Sequence, residues 1–246
     1  MFSSFSSFNS TFAAGKNSSA FSEAELVIDS LIVHYDSTNY TSGASITDES
    51  GESNTGTIVG SPTYSSPSFT FDGANDYIIT TDLDDQITAA AESHSVEVWF
   101  NTTSDGNLIV YTGQTTPNTG YYHSAIEIYR DNPAFGLWNG TGITYNNSSD
   151  NVTDGNWHQL VLTYDGTSKR GYLDGSLVSA AQTVAWDSPM NDGTGAFHIL
   201  LGVSASGTNM GSGAYFSGDI GILRVYNKAL SDEEVSQNYS FNQNTF

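Results

Sequence analysis

Residues 154–175 are DGNWHQLVLTYDGTSKRGYLDG, and this stretch decides the fold. Two runs rich in apolar residues, 158–164 and 170–173, are each followed by Asp-Gly. Asp-Gly supplies the positive φ angles that a tight turn between antiparallel strands requires. The stretch therefore predicts two consecutive β-hairpins, with turns at Asp165-Gly166 and Asp174-Gly175.

Similar short runs, separated by Gly, Asn and Asp, recur along the chain, which is typical of a sandwich or barrel of many short strands. Residues 95–100 alternate, so Val96, Val98 and Phe100 share one face. We expect an all-β fold of two antiparallel sheets, with a core that includes Val98, Phe100, Leu160, Leu162, Ile222 and Val225, and with Trp157 packed under a sheet edge. Strands are predicted over residues 31–35, 57–59, 68–71, 76–80, 95–100, 108–111, 125–129, 134–138, 158–164, 170–173, 196–201 and 216–226.

One short helix is predicted near the end of the chain. Ser231 followed by Glu234 forms the pattern of a capping box, in which each side chain bonds the other residue's backbone N–H. Asp232 and Glu233 also favour a helix N-terminus electrostatically. We expect about two helical turns that act as a C-terminal lid.

The composition excludes several functional classes. The 246 residues hold 6 Lys+Arg against 27 Asp+Glu, so the net charge is −21, which opposes nucleic acid and anionic membranes. There are no cysteines, which excludes disulfides and thiolate metal sites. No apolar run reaches the roughly 20 residues of a membrane helix, and residues 1–16 lack the basic start and apolar core of a signal peptide.

Four segments in order resemble the laminin-G-like domains of the concanavalin A-like lectin/glucanase superfamily. They are residues 31–58 with LIVHYD and DESG, residues 71–78 with FDGANDYI, residues 154–175, and residues 216–231 with FSGDIGILRVYNKALS. The resemblance spans residues 24–239 and implies a two-sheet antiparallel jelly roll with a short C-terminal helix. It also implies that His158 serves packing. Gly221 stands where the family usually has an Asp that often helps to hold a structural calcium, and Asp219 lies two positions earlier.

The family includes glucanases, which carry paired acidic residues on one strand so that both flank the bond that is cleaved. The sequence contains no such pair, because Glu92, Glu97 and Glu127 are each isolated. The five histidines are scattered along the chain. We therefore expect a protein that is not an enzyme.

Two kinds of binding site are candidates. Aromatic residues beside amides or carboxylates suit sugar recognition, although such rings also serve as ordinary packing; these residues are Tyr121, Tyr122, Trp138, Asn139, Tyr145 and Trp186. Asp72 and Asp76 bracket a tight turn that offers oxygen ligands to calcium. The alternative is that these carboxylates simply bond backbone N–H groups of the turn. No other cofactor is expected.

The two ends of the chain suggest a docking function. Residues 1–24 are rich in Ser and Phe, residues 240–246 repeat that character, and residues 25–239 form the sandwich between them. Grouped exposed phenylalanines mark interaction sites, so both tails are expected to dock on a larger shell protein or on another copy of the chain; a disordered leader is the alternative for residues 1–24. The docking residues would be Phe2, Phe5, Phe8, Phe12, Phe21 and Phe246.

These features together predict a lectin-like display module that binds surface glycans. We expect it to be an accessory or decoration protein at the surface of a virus or phage particle, or otherwise extracellular. The alternatives are a purely structural decoration protein without a sugar ligand and, as the third choice, a glycan-active enzyme.

Overall fold

The computed structural model describes residues 25–87, 93–113, 122–141, 143–187, 195–203, 205–206, 209–210 and 215–246. The predicted tail 1–24, with its five phenylalanines, lies outside these ranges. The described residues form short strands, one 3-10 helix at Ser37–Asn39 and one α-helix, α1, at Asp232–Asn242. The strands are β1 (Leu31–Asp36), β2 (Ser45–Ile46), β3 (Gly56–Val59), β4 (Thr63–Ser65), β5 (Ser68–Asp72), β6 (Tyr77–Ile79), β7 (His94–Asn101), β8 (Gly106–Thr112), β9 (Tyr122–Tyr129), β10 (Asn132–Trp138), β11 (Ile143–Asn147), β12 (Trp157–Tyr164), β13 (Ser168–Leu173), β14 (Ser176–Thr183), β15 (His198–Leu201), β16 (Ala205–Ser206), β17 (Asn209–Met210) and β18 (Ser217–Tyr226).

Two antiparallel eight-stranded sheets pack face to face, which confirms the predicted sandwich. Sheet A has the order β14-β13-β12-β7-β18-β5-β4, and β1 pairs with the second half of β18. Sheet B has the order β11-β10-β9-β8-β15-β6-β3-β2. Strands β16 and β17 form a separate pair.

The predicted hairpins are present, with one difference in turn length. Asp174 and Gly175 both have positive φ, at 49° and 75°, and form the two-residue turn between β13 and β14. Between β12 and β13 the loop has three residues, 165–167. The Asp165 carboxylate accepts hydrogen bonds from the backbone N–H groups of Thr167 (2.9 Å) and Ser168 (2.7 Å) and fixes this longer loop.

The core lies between the sheets and contains five of the six predicted residues, Val98, Phe100, Leu160, Leu162 and Val225, each 0% exposed. Alternate residues of each strand point inward, as the period of two requires. Ile222 is also buried, at 1% exposed, but it pairs with Trp99 on the outer face of sheet A, because the register shifts between Ile220 and Ile222.

Helix α1 covers the outer face of sheet A. The capping box at Ser231 and Glu234 is formed, as predicted. The helix is longer than the expected two turns and continues to Asn242. Its Val235 packs with Val161 and Tyr226 of sheet A in a second apolar cluster, outside the main core. The predicted domain boundary at residue 239 therefore falls inside the helix.

A buried ion pair lies beneath α1. Glu97 on β7 and Arg224 on β18 are both 0% exposed, and Arg224 Nη1 donates to Glu97 Oε1 at 2.8 Å. The same oxygen accepts from Trp99 Nε1 (3.0 Å) and Gln159 Nε2 (2.9 Å). Asn238 of α1 donates to Glu97 Oε2 at 2.8 Å. A buried charge of this kind is tolerable only because donors surround it.

The helix and the first described residues join the same network. Arg224 Nη2 donates to Asn242 Oδ1 at 2.6 Å. Asn238 Nδ2 donates to the Tyr226 hydroxyl (2.8 Å), and Asn238 Oδ1 accepts from the backbone N–H of Val27 (3.0 Å). Two sheet strands, α1 and the N-terminal segment are thus held by one set of hydrogen bonds.

Phe246 is folded against its own sandwich, which corrects its prediction as a docking residue. Its ring stacks on Trp157 with centroids 4.2 Å apart and on Trp99 at 5.5 Å. A Cβ at Gly221 would lie 2.4 Å from the Phe246 ring, so a larger residue at position 221 would displace the ring. The Phe246 ring is therefore already packed within its own chain.

Trp157 also differs from its prediction. It lies on the outer face of sheet A, because His158 and every second residue after it in β12 point inward. Its side chain is half-buried. Phe246 rather than a sheet edge covers its ring. His158 has the predicted structural role: its Nδ1 lies 2.9 Å from Asp174 and its Nε2 lies 3.2 Å from Asp154. In the part of the chain that the structure describes, no helix is long and apolar enough to cross a membrane.

Replacing Arg224 with Met is expected to lower the free energy of unfolding by about 3–5 kcal/mol, because the Glu97 carboxyl group is left buried without its cation. Denaturant unfolding measures this loss. Arg170→Met is the matched control: Arg170 forms an exposed pair with Asp232 at 3.4 Å, and losing such a pair costs under about 1 kcal/mol. Similar losses for the two variants would contradict the dependence on the buried pair.

His158 is expected to stabilise the fold more at acid than at alkaline pH. Burial lowers the pKa of His158, but Asp174 and then Asp154 outweigh burial, so the pKa lies above its usual value of 6.5. A raised folded-state pKa gives stability that is complete below about pH 6.5 and is lost as pH rises through the folded-state value. The difference in unfolding free energy between wild type and His158→Gln should therefore shrink from about pH 5.5 to about pH 8.5. A difference that grows over this range would contradict the ion-pair role.

Candidate functional site

The outer face of sheet B gathers polar and aromatic side chains on strands β8–β11. Paired residues of neighbouring strands point to the same face. Asn107 and Ala134 both pair with Glu127, Ser124 pairs with Val110, and Gly136 pairs with Tyr145. The residues between them, such as Phe135 and Leu137, point into the core. We name the outward set the β8–β11 strip: Asn107, Ser124, Glu127, Trp138 and Tyr145. Asn107 and Ser124 are buried, at 7% and 0% exposed, whereas Glu127, Trp138 and Tyr145 are half-buried.

Glu127 is the charged centre of the strip. It is half-buried, and its Oε2 accepts a hydrogen bond from the Tyr145 hydroxyl at 3.1 Å. Burial raises the pKa of Glu127, and hydrogen bonds from Tyr145 and Ser124 offset part of the rise. Burial, followed by the charge of Glu127, raises the pKa of Tyr145. The phenol therefore stays a donor to the carboxylate.

Gly136 sets the position of the Tyr145 ring. A Cβ at residue 136 would lie 2.6 Å from Tyr145 Cε1 and 2.7 Å from the Ser124 carbonyl oxygen. The ring therefore occupies the space above β10 that a side chain would otherwise fill. Ser124 Oγ donates to Asn107 Oδ1 at 2.8 Å and links the next two strands. The strip is held from β8 to β11.

Trp138 and Asn139 end the strip at the turn from β10 to β11. Trp138 is half-buried and pairs with Ile143, while Asn139 is exposed. Asn139 Oδ1 accepts from the backbone N–H (3.1 Å) and hydroxyl (2.8 Å) of Thr141, and its Nδ2 donates to Thr144 Oγ1 (3.2 Å). This turn is fixed by its own side chains beside the indole.

The structure thus places three of the predicted sugar-binding residues together: Trp138, Asn139 and Tyr145. The backbone of Tyr122 pairs with Thr112 at the start of β9, but its side chain and all of Tyr121 lie outside the described residues. From the sequence, Glu127 was predicted only to be an acid isolated from a second strand carboxylate. Its position between Ile126 and Ile128 in an alternating strand was the available signal that it points outward.

The prediction that Trp186 binds a sugar is wrong. It is 6% exposed and lies in the core, with ring centroids 4.8 Å from His94 and 5.7 Å from Tyr164. An indole enclosed by aromatic rings cannot offer its face to a ligand. The sequence suggested a loop site because Trp186 is followed by the carboxylate of Asp187. Its burial could not be predicted, because burial depends on the packing of strands that are distant in the sequence.

The Asp72–Asp76 turn uses its carboxylates within the chain. Asp72 Oδ1 accepts from the Ala74 backbone N–H at 2.8 Å. Asp76 is 3% exposed and accepts from the backbone N–H groups of Ser61 (2.7 Å) and Asp72 (3.2 Å). These hydrogen bonds are the ones expected if the carboxylates only bind backbone N–H groups at the turn. Calcium at this turn stays a prediction.

A family model described as the concanavalin A-like lectin/glucanases superfamily matches residues 72–236, more than half of the chain. None of the curated protein sequences compared with the chain matches it.

The solved structures that share this fold include domains of larger proteins. Domain 4 of AbnA, a GH43 extracellular arabinanase from Geobacillus stearothermophilus solved in complex with arabinotriose, shares 17% identity over 85% of this chain and 98% of that chain, with a TM-score of 0.59. The binding domain of botulinum neurotoxin DC in complex with rat synaptotagmin II shares 18% identity over 88% of this chain, with a TM-score of 0.59. The same toxin domain in complex with SialylT shares 20% identity over 88%, with a TM-score of 0.58.

The chain spans 52% of the length of these toxin domains. At such identities the structural likeness shows the fold, while the family model independently places the sequence. The chain therefore belongs to the concanavalin A-like lectin/glucanase superfamily, as a laminin-G-like jelly-roll domain.

Proposed function

We propose that this chain is a non-catalytic glycan-binding module and that the β8–β11 strip is its binding site. The observation that carries the proposal is the strand register, which brings Trp138, Tyr145 and Glu127 to one outer face. Sugars present apolar C–H faces and a ring of hydroxyls. An aromatic face beside fixed hydrogen-bonding groups matches both.

The polar groups of the strip are already oriented before a ligand arrives. Tyr145 and Ser124 hold Glu127 and Asn107 through hydrogen bonds of 3.1 and 2.8 Å. Binding to groups held in this way costs less ordering of side chains than binding to free ones. The related fold of the arabinanase domain was solved with arabinotriose and that of the neurotoxin domain with SialylT, which supports glycans as the ligand class.

The strip also supports binding rather than hydrolysis. Glycoside hydrolysis requires two carboxyl groups that flank one bond. The cross-strand neighbours of Glu127 are Asn107 and Ala134, and the residues two positions along β9 are Ala125 and Tyr129. Among the described strand positions around Glu127, none supplies the second acid.

The fold suits display from a larger particle. The first described residues lie beside α1 on the outer face of sheet A, where Gln237 Nε2 donates to the Glu25 carbonyl at 2.7 Å. The β8–β11 strip lies on the outer face of sheet B, on the other side of the sandwich. A chain attached through residues 1–24 would therefore direct the strip away from its support. We propose a virus or phage particle, or another extracellular assembly, as that support; a decoration protein without a sugar ligand is the second candidate.

Trp138→Ala is expected to weaken glycan binding at least about tenfold, or about 1.4 kcal/mol, because it removes the apolar platform. A glycan array identifies the ligand, and calorimetry on its best glycan measures the affinity. Glu127→Gln should also weaken binding, because it halves the carboxylate's acceptor capacity.

Phe241→Ala is the matched control, since Phe241 is an aromatic side chain exposed on α1, across the sandwich. It should bind like wild type. A wild-type chain that binds no glycan on the array would favour the purely structural alternative. Equal losses for Trp138→Ala and Phe241→Ala would remove the strip as the site.

Deletion of residues 1–22 is expected to leave the melting temperature unchanged while abolishing attachment to the native particle. The physical reason is that the removed phenylalanines gain their burial on a partner rather than on the sandwich. Scanning calorimetry and co-sedimentation with the particle measure the two effects. A lower oligomeric state of the truncated chain would identify a second copy as the partner, and full incorporation without the tail would contradict docking through it.

A further inference from the structure

The outward face of β1 places a nitrogen ligand beside two carboxylates. His34 and Asp36 are two residues apart on the strand, so they share a face. The Glu49 backbone N–H donates to the His34 carbonyl at 2.9 Å, which fixes Glu49 beside the same strand. One ligand atom from each of the three side chains lies within 4.8 Å of the other two.

One ring nitrogen of His34 has no hydrogen-bond partner. It is 7% exposed, and its Nε2 is buried with no partner among the described residues. A buried polar atom without a partner is rare in native proteins and calls for an explanation. A neutral imidazole binds a metal through the lone pair of such a nitrogen.

The surrounding charges favour a cation. Asp36, Asp48 and Glu97 act electrostatically on His34, and Asp36 and Asp48 act on Glu49. Arg224 is the opposing charge, but it is paired with Glu97 at 2.8 Å. The remaining carboxylates leave the neighbourhood negative, so a bound cation would lower their mutual repulsion.

Neighbouring groups orient the two carboxylates. Thr38 donates to Asp36 Oδ1 through its backbone N–H (2.8 Å) and its hydroxyl (2.6 Å). Asn39 Nδ2 donates to both oxygens of Glu49 at 2.9 and 3.1 Å. Metal ligands normally have hydrogen-bond partners of this kind. A polar cleft of about 50 Å³ that is lined by Asp36 and Glu49, but not by His34, gives solvent access to the carboxylates.

We propose that His34, Asp36 and Glu49 bind a zinc-type divalent cation, with water in the remaining coordination position. One imidazole nitrogen and two carboxylate oxygens suit zinc and its neighbours in the transition series. Calcium takes oxygen ligands alone, so His34 discriminates against it. The site lies outside residues 72–236 that define the family match, and it is independent of the β8–β11 strip and of the proposed function.

Zinc titration of the full chain tests the site. Wild-type protein should bind one zinc ion per chain, as measured by competition with a chromophoric chelator. Its melting temperature should be higher with zinc than with a chelator that removes the metal. Glu49→Gln and His34→Asn should each weaken zinc binding by more than about tenfold, because each removes a ligand. Cobalt added in place of zinc gives a visible absorption band that should be lost with His34→Asn.

Glu52→Gln is the matched control, because Glu52 is exposed on the same loop and is not one of the three ligands. It measures the nonspecific attraction of zinc to a chain of charge −21 and should bind like wild type. Glu49 is exposed, so its variant keeps the test valid if His34→Asn fails to fold. The proposal is overturned if wild type binds no zinc, if Glu49→Gln binds like Glu52→Gln, or if calcium competes equally with zinc.

Discussion

The structure depends on neutralising one buried carboxylate, Glu97, in the middle of sheet A. Its charge is met by Arg224 on the neighbouring strand and by donors from β7, β12 and α1. None of these elements can move away without leaving a charge or a donor unpaired in a water-free place, which is costly. The pair therefore does more than join two strands. It requires α1 and the segment at Val27 to cover the face, and it makes the outer side of sheet A a second interior.

The two sheets consequently have different outer surfaces. Sheet A is closed by α1, by an apolar cluster around Val161 and by the stacked rings of Trp99, Trp157 and Phe246. On the outer face of sheet B, Glu127, Trp138 and Tyr145 are half-buried, whereas Asn107 and Ser124 are buried and Val110 joins an apolar cluster with Leu200 and Ile79. A jelly roll whose two outer faces differ in this way has a defined direction. The residues around Glu127 can then vary without disturbing the buried network of sheet A.

The sequence predicted the features that local chemistry determines. Asp-Gly turns, alternating cores and the Ser231 capping box depend on neighbours in the chain, and each was found. Strands β11 and β14 were missed because they are polar and lie at sheet edges, without an apolar alternation. The site was only half predicted. Trp138 and Tyr145 could be identified because amide residues follow them in the sequence, whereas the position of Glu127 depends on pairing across four strands. Trp186 and Phe246 were misjudged because their surroundings come from residues far away in sequence.

The position of Glu25 beside α1 has a consequence for binding strength. Copies tethered to a common support through the preceding residues would carry their β8–β11 strips on the side of the sandwich away from the tether. If a single contact between one strip and a sugar were weak, it would dissociate quickly. When many strips face one glycan-coated surface, each bound copy would keep its neighbours close to further ligands. The high effective local concentration would then give strong overall binding from weak single contacts. Such an array would respond steeply to the density of glycans on a surface and would ignore the same sugar free in solution.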